Sequence, residues 1–143
     1  MLYHTSPVEI TQIHKHGLFD DCLFFSVEPY SMGDVKITYS IDDSEMSFIR
    51  ASQLFDESII AEISCDLEID AETAEELLQA RQQVWNLDMD CDKAEADWKL
   101  QALRGKCAKV MGYDGCIDRD EQGAVYIIPM FGRESILLRV NAE

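Results

Sequence analysis

The chain has 143 residues, a length that fits one domain (residues 1–143) with one hydrophobic core. Its formal net charge is -16 at pH 7, and a negative field of that size repels phosphate backbones, which argues against free DNA or RNA as a ligand. The apolar runs are far shorter than a membrane span needs, and we expect no signal peptide. The five cysteines include no C-x-x-C pair, which argues against a disulfide framework or a metal site.

The N-terminal part of the chain predicts three strands and a short helix. Leu2–Thr5 fits a short strand, and the apolar spacing of Val8–His14 fits a short helix that ends before Gly17. Cys22–Phe25 is a continuous apolar run, which is typical of a fully buried strand. Val35–Ile41 alternates between apolar and polar residues, which indicates a half-buried strand.

The middle of the chain predicts two helices. The first has Asp70 as its N-cap residue. Its residues at helical spacing are Ala74, Leu77, Leu78, Arg81, Val84 and Trp85. The second begins near Asp92, where D-K-A-E resembles a capping box, and ends at Gly112. Its apolar stripe is Leu100, Leu103, Cys107 and Val110.

The last third of the chain predicts strands again. Gly115–Arg119 and Ala124–Met130 flank a short polar segment that ends in Gly123, which is the pattern of a β-hairpin. Ser135–Val140 fits a final strand. Strands, then helices, then strands along one chain indicate the α+β class with a largely antiparallel sheet and a helical middle segment.

The segment from Asp56 to Asp97 is strongly acidic. It holds 14 acidic residues, opposed by Arg81 and Lys93 alone. One interpretation is a solvated helical surface. The other is a surface that faces a protein partner with a basic groove, since charge complementarity steers such encounters. The sequence leaves both interpretations open.

Three separated segments hold the candidate chemistry. The first is Leu2–Ser6, a strand that contains His-Thr-Ser. The second is the Gly17–Phe19 loop with the aromatic strand end Phe24–Ser26 and, shortly after, Tyr30. The third is the acidic hairpin Asp118–Gly123. Taken singly, each is typical of an ordinary fold: a satisfied histidine, a core aromatic pair, a solvated turn. The information lies in their order and spacing.

That order resembles the histidine-tyrosine-acid branch of the ADP-ribosyltransferase superfamily. It is more closely similar to the small anti-CRISPR ADP-ribosyltransferases of type I-F systems, which share the opening F/Y-H-x-S and the Gly-x-Phe loop. They also share a late helix like Trp98–Gly105, the pair Gly112-Tyr113 and the D-E-x-G turn. The resemblance is most specific from Trp98 to Gly123 and weak from about Val35 to Asp90. It implies an ADP-ribosyltransferase-like fold.

The resemblance implies an acid that acts during cleavage of NAD. Breaking the nicotinamide–ribose bond builds oxocarbenium-like charge on the ribose, which a nearby carboxylate stabilises. By resemblance Asp120 is that acid, and Glu121 is its catalytic neighbour. Adjacent side chains on an extended chain point to opposite faces, so only one of the two can point into a given cleft. Asp118 shares a face with Asp120 and is a candidate for assisting it or orienting the acceptor.

The resemblance also implies a set of residues that bind NAD. His4 would bind the ribose hydroxyls or the adenosine side, and the backbone of Thr5 would hold the nicotinamide carboxamide. Tyr30 would stack on the nicotinamide ring. Ser26 would form the floor of the cleft. Ser6 and Phe25 complete the set. Two departures stand out, because the family often has Gly where this chain has Thr5, and most of the superfamily has Glu where it has Asp120.

The function that the resemblance implies is mono-ADP-ribosylation of the large, DNA-reading subunit of a type I-F CRISPR surveillance complex. The reaction would take place in the bacterial cytoplasm. The expected acceptor is an asparagine that contacts DNA. Two alternatives stay open. One is a non-enzymatic acidic decoy that occupies a DNA groove. The other is the same fold with another acceptor, such as a toxin or an RNA 2′-phosphotransferase, which the negative charge disfavours.

Overall fold

A computed structural model describes residues 1–6, 10, 13, 21–28, 37–88, 92–120 and 123–140, without the side chain of Asp120. The strands in this part of the chain are β1 (Leu2–Ser6), β2 (Cys22–Phe25), β3 (Ile37–Ile41), β4 (Phe48–Arg50), β5 (Gly115–Asp120), β6 (Gly123–Pro129) and β7 (Leu138–Arg139). The α-helices are α1 (Glu57–Leu67), α2 (Ala71–Leu78) and α3 (Lys93–Val110). The α+β prediction with a helical middle is confirmed.

The described strands form two sheets that meet at one point. One sheet has the order β1-β3-β7 and the other β2-β6-β5-β4, and every pairing is antiparallel except that of β4 with β5. A single bridge joins the sheets, where Tyr3 of β1 and Ser26 after β2 exchange two backbone hydrogen bonds of 2.8 and 2.9 Å. The sheets therefore part on either side of this bridge.

Two helices begin where the sequence predicts. The Asp70 carboxylate accepts the backbone N–H of Thr73 at 2.7 Å, and the Asp92 carboxylate accepts that of Glu95 at 3.2 Å. Both satisfy N–H groups that a helix start leaves unpaired. The α3 helix ends just before Gly112, which has a φ of 94°, a value that favours glycine.

The first predicted helix is shorter than expected. It ends at Leu78, whereas the apolar spacing predicts that it continues to Trp85. The guanidinium of Arg104 donates to the carbonyls of Leu77 and Leu78 at 2.8 and 3.1 Å, which are acceptors that the next turn of the helix would use. Ala80 then has a φ of 57°, and Trp85 is 55% exposed. A tertiary contact thus ends α2.

Other elements differ from the sequence prediction. The sequence patterns gave no prediction for β4 or α1. The predicted strand Ser135–Val140 is a 3-10 turn at Glu134–Ile136 followed by the two-residue β7, and Val110, predicted in the α3 stripe, is 58% exposed. The predicted helix Val8–His14 lies almost wholly outside the described residues, as does the start of the predicted strand Val35–Ile41.

The four-stranded sheet separates two buried clusters. Ile127 packs with the helices on one face, and Ile128 packs with Leu2 and Phe25 on the other, as neighbours on a strand must. The α3 helix lies very close to the first face, since a Cβ at Gly105 would stand 2.8 Å from a methyl of Ile127. Among the described residues no helix is long and apolar enough to cross a membrane.

Candidate active site

His4 lies at the point where β1 and β2 part. Its Nδ1 is 2.8 Å from the carbonyl oxygen of Phe24, and its ring packs at 5.6 Å between centroids against the ring of Phe25. A carbonyl only accepts, so Nδ1 carries the proton and donates. Nε2 is then the unprotonated acceptor of a neutral imidazole. The sequence of the strand thus gives a histidine with its ring direction fixed and one acceptor nitrogen left for a ligand.

Burial keeps His4 neutral. Desolvation lowers the pKa of His4 from its ordinary value of 6.5, and the hydrogen bond to Phe24 opposes that shift without cancelling it. At neutral pH the ring therefore offers Nε2 as an acceptor, which suits a hydroxyl donor such as those of a ribose.

The depressed pKa of His4 predicts a pH-dependent stability. Below about pH 6.5 the unfolded chain binds a proton at this histidine more readily than the folded protein does. The contribution of neutral His4 to the free energy of unfolding is therefore complete above that pH, and it is lost as the pH falls towards the lowered pKa of the folded state. Urea unfolding of the wild type and His4→Gln between pH 7.5 and 5 should show a steeper loss for the wild type. Identical slopes would contradict a lowered pKa. Both proteins have the same carboxylates, so the contribution of these groups cancels when the two pH dependences of the free energy of unfolding are subtracted.

Thr5 presents unusual hydrogen-bonding groups at the same junction. In an antiparallel pair, residues alternate between bonding one neighbour strand and the other. Because the backbone of Tyr3 bonds Ser26, the N–H and C=O of Thr5 also point to the β2 side, beyond the bridge, where the strands have parted. The Thr5 hydroxyl is buried and has no hydrogen-bond partner among the described residues. A buried polar atom of this kind indicates a place for a ligand.

The other described residues predicted to bind NAD support this junction. Phe25 is fully buried and packs beneath the His4 ring, so it positions the histidine and has no surface for a ligand. Ser26 is 7% exposed, and its hydroxyl donates to the carbonyl of Glu28, which fixes the chain after β2. Ser6 is also buried. Tyr30 lies outside the described residues.

The acidic hairpin lies at the same end of its sheet as the Tyr3–Ser26 bridge, whereas Thr5 extends from that bridge in the other direction, towards Phe24. Continuing the β2–β6 register by one residue puts Ser26 opposite Val125, which pairs with Asp118. Asp120 is two residues further along β5, where it pairs with Gly123. Ordinary strand spacings then separate the backbones of Ser26 and Asp120 by on the order of 12 Å. Glu121 lies outside the described residues.

Asp118 is held on the helical side of the sheet. One carboxylate oxygen lies 3.0 Å from Nη1 of Arg104, and the other accepts the backbone N–H of Arg119 at 2.8 Å. Arg104 is 6% exposed and also donates to the two carbonyls at the end of α2. Asp118 therefore anchors β5 next to the hairpin, and the predicted contact with an acceptor stays a prediction.

Arg104 is the residue that the sequence patterns missed. A signal was present, since Arg104 falls between Leu103 and Cys107 within the buried stripe of α3. A buried cation on an apolar helix face needs partners, and here it has three.

The buried thiols of Cys107 and Cys116 are unreactive, because burial raises the pKa of Cys107 to about 11 and that of Cys116 to about 12.

Comparisons with known proteins found a family and a similar fold. A family model described as "Anti-CRISPR Type I-F ADP-ribosyltransferase AcrIF11" matches residues 2–134. A solved structure described as "Crystal structure of an anti-CRISPR protein" is similar with a TM-score of 0.56 and 24% sequence identity, over 97% of this chain and 93% of that chain. At this identity the structural likeness concerns the fold. No curated protein matches the chain.

Proposed function

The chain belongs to the anti-CRISPR type I-F ADP-ribosyltransferase family, and from that premise we propose that it transfers one ADP-ribose from NAD to the large DNA-reading subunit of a type I-F CRISPR surveillance complex. Membership makes the chain an ADP-ribosyltransferase. The donor, the acceptor subunit and the residue roles below are the proposal. It would act in the cytoplasm of the bacterial host, where that complex works.

The observation that carries the proposal is the parting of β1 and β2 beyond the Tyr3–Ser26 bridge. The outward N–H and C=O of Thr5 there complement a primary carboxamide, which offers one acceptor and a donor, so they fit the nicotinamide end of NAD. Nε2 of His4 accepts from a ribose hydroxyl. The unpartnered Thr5 hydroxyl supplies one more polar contact in the same place.

The proposed reaction is a displacement at the ribose carbon that bears nicotinamide. The bond from that carbon to nicotinamide nitrogen breaks, and nicotinamide leaves with the electron pair. The carboxylate of Asp120 stabilises the positive charge that develops on the ribose, which is electrostatic catalysis by a preplaced anion. An acceptor nitrogen, which we assign to an asparagine amide, forms the new bond and loses a proton to solvent. Tyr30 would stack on the nicotinamide ring.

The charge of the chain suits the proposed acceptor protein. A net charge of -16 is attracted to a basic DNA-binding groove and repelled by DNA itself. ADP-ribose attached at a residue that contacts DNA adds bulk and two phosphates to that groove. One transfer would therefore weaken DNA binding through both sterics and charge repulsion.

The test is the intact mass of each subunit after incubation of the purified complex with this chain, with and without NAD. We expect the large subunit alone to gain the mass of one ADP-ribose, only when NAD is present, with release of an equal amount of nicotinamide. An unmodified complex that no longer binds DNA would sink the proposal and favour the acidic decoy. Modification of another protein from a host lysate would favour a different acceptor.

A further inference from the structure

A second cleft lies between α1 and α2, on the face of the four-stranded sheet opposite Phe25. Its volume is about 500 Å³, which falls within the range of ordinary ligand clefts. It is separate from the junction of the two sheets where His4 lies. The function proposed above makes no use of it.

The walls of this cleft are largely apolar. Phe55, Ala61 and Ala71 line it, and Phe55 is 49% exposed to solvent. The apolar surface continues outside the cleft, because the backbone N–H of Phe55 meets the sulfur of Met111 at 3.4 Å and Met111 is itself 37% exposed. Contiguous exposed apolar surface on a soluble domain is typical of a binding site.

The cleft is also lined by three glutamates. Glu57 stands in the first turn of α1, Glu72 in the first turn of α2, and Glu75 one turn later. Within the described part of the chain none of the three forms an ion pair. The cation Lys99 is bound to Asp66 of α1, a residue that does not line the cleft. The cleft therefore offers negative charge that the described chain leaves uncompensated.

We propose that this cleft docks a basic segment of the protein that the enzyme modifies, with an Arg or Lys stem on the apolar wall and its charged head among the glutamates. Long cationic side chains bury their stems on apolar surface and keep their heads near anions. The cleft has both features at one place. The same charge repels nucleic acid and anionic membranes. The assignment of the segment to the acceptor protein rests on the proposed function. The ability of the cleft to bind a basic segment does not depend on that function.

The cleft is tested first without NAD or the complex. The probe is a fluorescein-labelled peptide of alternating Arg and Leu, followed by anisotropy. Neutralising the cleft with the triple change Glu57→Gln, Glu72→Gln and Glu75→Gln should weaken binding about tenfold, as expected for three partly screened ion pairs. The matched control carries the same charge change at exposed acids outside the cleft: Glu45→Gln, Asp88→Asn and Glu95→Gln. It should weaken binding by less than about twofold.

A second pair of variants tests the position of the cleft without removing an acid. Ala61→Arg places a cation in the cleft and should block the peptide, whereas Ser58→Arg adds the same charge at an exposed α1 position that does not line it. Equal losses within either pair would overturn the proposal, because overall charge alone would then explain binding. Urea unfolding of each variant excludes a folding defect.

The acceptor is tested with the complex. The cleft triple variant should raise the KM for the surveillance complex about tenfold and leave the KM for NAD unchanged, while the control triple changes neither. A cleft that binds the peptide without affecting the KM for the complex would overturn the assignment to the acceptor protein. If the wild type modifies no subunit, the proposed function fails, and the peptide experiments still decide whether the cleft binds basic segments.

Discussion

Asp120→Asn is expected to reduce the rate of ADP-ribose transfer by about 10²–10³-fold, the usual cost of removing one group that stabilises charge in a transition state. The substitution keeps the shape of the side chain and removes its charge. The KM for NAD should change little, because the interaction develops as the nicotinamide–ribose bond breaks. The measurement is the initial rate of subunit modification at saturating NAD.

The control for this prediction is Glu121→Gln. Asp120→Asn should lower the rate of transfer and Glu121→Gln should leave it near the wild-type rate, because the proposal assigns the developing ribose charge to the Asp120 carboxylate. The Asp118 carboxylate is already bonded to Arg104 and to the backbone N–H of Arg119. A wild-type rate for Asp120→Asn with a large loss for Glu121→Gln would move the catalytic acid to Glu121.

Sequence patterns predicted those parts of the fold that local interactions determine. The caps at Asp70 and Asp92 are side chain to backbone contacts within one turn, and they begin helices where expected. The strand β2 and the hairpin of β5 and β6 are also confirmed, although Leu23 and Phe24 are half-buried where a fully buried strand was predicted. The caps and the hairpin have partners close in the sequence, whereas β2 pairs with β6 about 100 positions later and was predicted from its own apolar run alone.

The parts that were missed depend on distant partners. The three residues of β4 become a strand only by parallel pairing with β5, more than 60 positions later. The α2 helix ends early because Arg104 takes its last carbonyls. The α1 helix had one local signal that was overlooked, since the Asp56 carboxylate accepts the N–H of Ile59 in the same way as the two predicted caps. Its isoleucine-rich sequence is otherwise typical of a strand.

In the candidate site, too, the sequence predicted some features, and others depend on tertiary contacts. The order of His4, Ser26 and Asp120 along the chain indicated the family, but a one-dimensional pattern cannot show that the strands part at a single bridge. Among the described residues, that parting leaves the β2 side of Thr5 without a paired strand and brings the His4 ring onto Phe25. The positions of Tyr30 and Glu121 remain predictions.

Arg104→Met is expected to lower the free energy of unfolding by about 3–5 kcal/mol, the usual cost of removing one partner of a buried ion pair. The change removes the Arg104 donor from two α2 carbonyls and from one oxygen of Asp118. The N–H of Ala80 still bonds the Leu77 carbonyl, and that of Arg119 still bonds the other Asp118 oxygen. Such a loss is a large part of the total stability of about 5–15 kcal/mol for a domain. Urea unfolding measures it, and Arg119→Met, an exposed arginine on the same hairpin, should cost less than about 0.5 kcal/mol.

The pair can be separated from the helix-end contacts by a double-mutant cycle. Asp118→Asn alone should cost about 1–3 kcal/mol, because Arg104 keeps its two carbonyl acceptors. With both changes, the loss should be smaller than the sum by about 1–3 kcal/mol, since the Arg104–Asp118 interaction is lost once in the double variant and is counted twice in the sum. Additive losses would show that Arg104 stabilises the protein through α2 alone. Because Asp118 is two residues before Asp120, strong coupling in this cycle would mean that α3 fixes the position of the acidic hairpin as well as the end of α2.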